Sequence, residues 1–423
     1  MSFGQTMLFI KKASCEHVAS MHRILRSVCF FVLALAFLFS GNAFAKDEKP
    51  VIHAGYRTLS SSLPSERLML QMGVWYPSVR RPGTVKVGNI TFRAARNAPV
   101  FAGPWPVIIL SHDVTGNAWA HRDIAASLAS RGFIVVAPTH DHDNGEDLRM
   151  LFSDRELLLR SIQLRAALDA VLEHKQIGPH ADASRVGYLG FGTPAPAGFL
   201  LAGASLTPDG WKAFAEERKN SGSPWLQPYM AGRMDALTDA MRHRTAERQE
   251  KALMLEKALE SRGRMFQRLE DAVTRAHQRQ LRLARADAIA QPPVVLPCLP
   301  PLSHDRAVSD SRFQALALVS PGYSMLFSRE SLSEVKEPVF LAGAGKDSFN
   351  LPAEQAERLL EMLPQRPYYL LLPNADMASF HTAGPDSDPA YPLGGVYAGR
   401  KDRISLVALL DSLEEFFMKA FAR

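Results

Sequence analysis

Six short apolar runs alternating with helical patterns constrain the fold of this 423-residue chain more than any other feature. The runs fall at 107–110, 133–137, 186–189, 315–319, 339–342 and 369–372. Runs this short and this uniformly apolar read as strands buried on both faces. Amphipathic helical patterns fall at 122–130, 157–172, 353–363 and 404–422. Alternation of the two predicts an α/β architecture: a doubly wound, mostly parallel sheet with helices on both faces.

A composition of 47% hydrophobic and 22% charged residues is enough for one large core or two modest ones, and excludes wholesale disorder. The strand rhythm breaks only between 206 and 305. There a charged, Ala/Leu/Arg-rich helical pattern runs from roughly 233 to 290 and is closed by Pro292-Pro293 and Pro300-Pro301. Its apolar stripe, Leu253, Leu255, Leu259, Met265, Leu269 and Val273, is too uneven for a sustained heptad. A helical hairpin is expected, serving as a cap over the sheet edge or as a partner-binding arm. The expected organisation is therefore 1–45 signal peptide, 46–205 first part of the core, 206–305 helical insertion, and 306–423 second part of the core.

The N-terminal reading rests on a basic flank at Arg23 and Arg26, an apolar run from Val28 to Phe39, and Ala43 and Ala45 before Lys46. That is the pattern of a cleaved secretory signal, and the run is shorter than the roughly 20 residues a membrane span needs. Translation from Met1 or from Met21 fits equally. The expectation is a periplasmic or secreted protein with no stable membrane span after cleavage. Cys15 and Cys29 precede the cleavage point, so only Cys298 remains and no intramolecular disulfide forms. Lys11, Lys12, Arg23 and Arg26 against Glu16 carry +3 of the formal +6, and the remaining +3 makes no case for nucleic-acid binding.

The run 186–189 leads into Gly190-Phe191-Gly192-Thr193-Pro194 and then a helical pattern. This is the layout of a nucleophile elbow, G-x-S-x-G, with Gly192 where the serine belongs. Glycine adopts the positive-φ conformation of such a turn at little cost, so the strain is relieved and the nucleophile is gone. Pro194 is tolerable in a first helical turn, where its missing N–H needs no partner.

Gly55-Tyr56-Arg57, Val74-Trp75-Tyr76-Pro77, the stretch from Pro106 to His112, Ala137-Pro138, Leu168-Asp169-Ala170 and Asp310-Ser311-Arg312-Phe313 together resemble the bacterial predicted dienelactone hydrolases, relatives of the platelet-activating-factor acetylhydrolases. The resemblance covers most of the chain outside the signal and the insertion. It implies the α/β-hydrolase fold, a Ser-Asp-His ester hydrolase and no cofactor or metal. It places the acid on Asp347, a position that a turn or cap would also explain. It places the base on Met377, in Asn374-Ala375-Asp376-Met377-Ala378-Ser379-Phe380. A thioether takes no proton at neutral pH, so two of three catalytic roles are vacant.

The oxyanion-type amides fall on Val114 and Thr193, but Asp113 stands where such hydrolases carry glycine. An inward carboxylate there would repel a developing oxyanion. His381, four residues past Met377, is the candidate substitute base. Ser111, Ser320 and Ser379 lie off the elbow and read as structural, and His140-Asp141-His142-Asp143 reads as an ordinary loop with no metal. The expected function is binding or scaffolding on a hydrolase body, with a protein partner at the insertion or a small ester or lipid in the pocket. The alternative is a carboxylic-ester hydrolase with a displaced site. Gly192→Ser alone is expected not to restore turnover, whereas Gly192→Ser with Met377→His supplies both missing groups. A hydroxyl hydrogen-bonded to an imidazole elsewhere in the cleft would overturn the expectation of inactivity.

Overall fold

The computed structural model describes residues 50–63, 68–88, 90–114, 116–145, 147, 156–207, 210–218, 308–382 and 403–422. The expected signal segment, Cys298 and the expected helical hairpin lie outside the described residues. All described elements belong to the unit Ile52–Arg423. None of their helices is long and apolar enough to cross a membrane.

Among the described residues ten strands form one sheet: β1 (His53–Leu63), β2 (Leu68–Ser78), β3 (Gly83–Val87), β4 (Ile90–Arg96), β5 (Trp105–Ser111), β6 (Ile134–Pro138), β7 (Ala181–Phe191), β8 (Phe313–Val319), β9 (Val339–Ala344) and β10 (Tyr368–Leu372). Their order is β10-β9-β8-β7-β5-β6-β2-β1-β4-β3. The run from β6 through β5, β7, β8 and β9 to β10 is parallel throughout. β2 joins it antiparallel to β6, and β1 lies antiparallel to β2.

The apolar runs work because successive side chains of a strand point to opposite faces and here both faces are covered. Val107 and Ile109 of β5 belong to one core cluster, Ile108 and Leu110 to the other. Ile134 and Val136 alternate with Val135 and Ala137 in the same way. The first face is covered by Leu164 and Leu168 of α2 (Glu156–Leu172) and by Phe199 and Leu200 of α3 (Ala197–Leu201). The second is covered by Ile124 and Leu128 of α1 (Arg122–Ser130) and by Leu409, Leu413, Phe416 and Phe417 of α7 (Arg403–Ala420). Three further helices are α4 (Gly210–Arg218), α5 (Arg329–Leu332) and α6 (Ala356–Met362).

Parallel strands carry their carboxyl ends to one edge of the sheet, where open α/β sheets hold their sites. That edge gathers the loop after β5, the turn after β7, Ser320 after β8, Asp347 after β9 and Met377 after β10.

Candidate functional site

At the end of β7, Gly192 adopts φ +68°, the left-handed region that glycine enters without a Cβ penalty. The turn is held by Gly192 N donating to Val319 O at 2.8 Å, and by Ala195 N donating back to Gly192 O at 3.0 Å. Pro194 sits in the turn before α3 and accepts from Ala197 N at 3.0 Å. The conformation of an elbow is intact.

The space beyond it is filled. A Cβ built on Gly192 would collide with Oδ1 and Cγ of Asp113. Asp113 follows β5, is 3% exposed and turns its carboxylate onto the elbow. Oδ1 accepts from Val114 N at 2.7 Å and from Thr193 N at 3.2 Å. The two expected oxyanion-type amides are thus brought together, and the protein's own side chain occupies the point they define. Burial pushes the Asp113 carboxyl up to about 7, against the Val114 amide; the negative charge of Asp347 pushes the same way.

Asp347 is buried behind this carboxylate. Its Oδ2 accepts from Ser320 Oγ at 2.7 Å, and its Oδ1 accepts from Phe349 N and Asn350 N, both at 2.9 Å. The side chains of Asn350 and Thr193 meet at 3.3 Å and join the loop after β9 to the elbow. Met377 opens a short 3-10 turn, Met377–Phe380, and is buried in the apolar cluster with Ala375 and Phe380. His381 stands edge-on to the ring of His121, centroids 4.7 Å apart. Burial draws His381 down to about 4, so it is neutral at pH 7.

His121 is a site neighbour that no sequence motif marks. It begins α1, stacks on Phe191 at 3.8 Å immediately before the elbow, and donates Nδ1–H to Phe380 O at 2.9 Å. That bond leaves the lone pair on Nε2, and burial, with His381 alongside, holds the ring well below the ordinary histidine range.

A second constellation lies beneath the loop after β5, on the α2 face. Ser111 Oγ lies 2.9 Å from His140 Nε2, and His140 Nδ1 lies 2.8 Å from Gln163 Oε1. Gln163 turns its amide nitrogen toward Asp141 O, so His140 donates through Nδ1 and accepts the serine proton through Nε2. Arg160 donates to the same Ser111 Oγ at 3.1 Å, to His112 O at 2.5 Å and to Asp143 Oδ2 at 2.5 Å. Burial and the Arg160 charge keep His140 far below the usual range. Ser111, His140 and Gln163 are all 0% exposed. The sequence tetrad at 140–143 is therefore split: His140 and Asp143 point into this network, while His142 pairs with Asp147 at 2.7 Å and Asp141 lies alongside. Neither Ser111 nor Ser320 lies at the elbow turn: Ser111 bonds His140 and Arg160, and Ser320 bonds Asp347.

Residues 92–207 match the model of the Dienelactone hydrolase family. No curated protein matches the chain. Among solved structures it is similar to a ferulic acid esterase from Streptomyces cinnamoneus, at 15% identity over 89% of this chain and 92% of that one, with a TM-score of 0.48. It is also similar to a dienelactone hydrolase from Anabaena variabilis ATCC 29413, at 14% identity over 87% and 98%, with a TM-score of 0.42. The strand order, the positive-φ turn after β7 and the match over residues 92–207 give this chain an α/β-hydrolase fold similar to that of the dienelactone hydrolases.

Proposed function

We propose that this protein is an exported binding or scaffolding member of its fold that does not hydrolyse esters at the elbow. The observation that carries the reading is the setting of Asp347. Both carboxylate oxygens are engaged by the Ser320 hydroxyl and by loop amides, in the place where a catalytic acid would orient an imidazole. On one side of it stands Gly192, without a side chain; on the other stands Met377, whose thioether cannot carry a proton. Export is supported by the basic flank, short apolar run and small residues before Lys46. The bound partner is then either a protein at the insertion or a small ester or lipid in the cleft.

The chain from Lys46 onward, treated with a fluorophosphonate probe and p-nitrophenyl esters, is expected to stay unlabelled and to turn over no ester above background. Covalent labelling of any serine would remove the proposal. A melting temperature that stays flat across a series of acyl compounds would count against a lipid or ester in the cleft.

One observation favours a second reading, hydrolysis from a displaced site: Ser111, His140 and Gln163 form a hydroxyl–imidazole–amide relay. Against it stand the complete burial of all three and the Arg160 N–H on the attacking oxygen. Labelling that disappears in Ser111→Ala would decide for this reading.

A further inference from the structure

Two N–H groups from different loops, Val114 on one side and Thr193 on the other, converge on a single point at the elbow. Converging backbone amides of this kind form an anion cradle, and a buried amide left without an acceptor costs free energy. Here the acceptor is Asp113 Oδ1, held from the next strand in the volume that a side chain on Gly192 would need. Asp113 is buried, and Oδ1 bonds both amides at ordinary distances.

We propose that Asp113 is a tethered ligand of this cradle, which closes it in the resting protein, and that a carboxylate or other small oxyanion enters only when the Asp113 side chain is removed or swings out. The inference rests on the non-catalytic reading above, for it explains how a hydrolase body keeps its oxyanion amides satisfied without a substrate. It adds that the emptied elbow is an anion site with its occupant built in. The charged and titratable groups around Asp113 are Asp347 after β9, Arg160 on α2, and the neighbouring imidazole of His112, itself held neutral by burial. Burial, the amides and these charges together place the proton exchange of Asp113 near neutrality.

The test compares the full chain with its Asp113→Gly and Asp113→Asn variants, using acetate as the probe and matched sodium chloride as the control. Asp113→Gly is expected to gain a saturable acetate-dependent rise in Tm, ~2–4 °C at about ten times its Kd. The unmodified chain and Asp113→Asn, whose amide oxygen still fills the cradle, are expected to show none. Equal shifts in all three proteins, or no shift in a folded Asp113→Gly, would overturn the proposal. The unmodified protein gives a second readout should the glycine variant fail to fold. The Val114 and Thr193 amide resonances should move together, upfield as pH falls, with one shared midpoint. Amides indifferent to the Asp113 titration would equally refute the contact. Ester turnover by Asp113→Gly reports separately on the non-catalytic reading: turnover in a variant that also binds acetate would sink that reading and leave the tethered ligand standing.

Discussion

Gly192 and Asp113 now share one volume, and each makes the other necessary. A side chain at 192 carries a left-handed backbone and must also evict a buried carboxylate. Gly192→Ser is therefore expected to destabilise the protein by about 1–3 kcal/mol, from strained φ and the displaced hydrogen bonds. Thermal or urea unfolding would measure it. In an Asp113→Gly background the same substitution should cost at least about 1 kcal/mol less, a coupling that additive, non-interacting sites would not give. The turn at Gly192 was legible in the sequence, because a strand-turn-helix motif marks it, whereas the role given to Met377 rests on the family resemblance alone. The direction of the Asp113 side chain was legible only as a condition, since loop dihedrals decide where it points. The place of His121 left no sequence signal: its bond to Phe380 O spans 259 residues.

Strands explain most of what could be read and most of what was missed. β5 to β9 are apolar runs because helices cover both their faces, so each announces itself, whereas β10 is an edge strand whose apolar run is not buried on both faces as the sequence suggests, with Tyr368 and Leu371 exposed. β1 does not announce itself: exposed Thr58, Ser60 and Ser62 alternate with half-buried Arg57, Leu59 and Ser61, and an antiparallel half-exposed strand gives alternation without a run. The β3–β4 hairpin escaped for the same reason, with Ile90, Phe92 and Ala94 buried between exposed Thr91 and Arg93. The Ser111–His140 contact follows from the β5–β6 register, in which Ile109 lies opposite Val136 and so brings the two strand ends side by side. Arg160 of α2 ties those ends to the helix, and its ion pair with Asp143 leaves the two side chains 1% and 2% exposed. Arg160→Leu strands a buried carboxylate and is expected to cost about 3–5 kcal/mol in urea unfolding. Arg160→Leu with Asp143→Leu, which removes both charges, should recover a large part of that loss.

At the scale of the whole molecule the buried imidazoles set the acid limb of stability. His112, His121, His140 and His381 are all depressed in the folded state, chiefly by burial. The unfolded chain binds more protons than the folded one between the folded value, about 4 for His381, and the ordinary 6.5. Stability therefore rises with pH through that window and is lost as pH falls through it. Asp113 works oppositely: its folded value near 7 makes its contribution fullest below the unfolded 3.8 and loses it as pH rises toward 7. The lowered histidines, with the lowered carboxyls of Asp182 and Asp310, outweigh the raised carboxyls of Asp113 and Glu337 and give a net acid lability, and His381→Phe is expected to lower the acid-unfolding midpoint. An unchanged midpoint would mean that His381 is already protonated or open to water. The central claim is that the elbow is silent because nucleophile and base are absent and Asp113 fills the gap. It is tested most directly by p-nitrophenyl acetate turnover of two variants. Gly192→Ser with Met377→His, the pair the sequence suggests, should stay at background while Asp113 remains. Adding Asp113→Gly should give turnover above it; esterase activity in the unmodified chain, or equal rates with and without Asp113, would contradict the account.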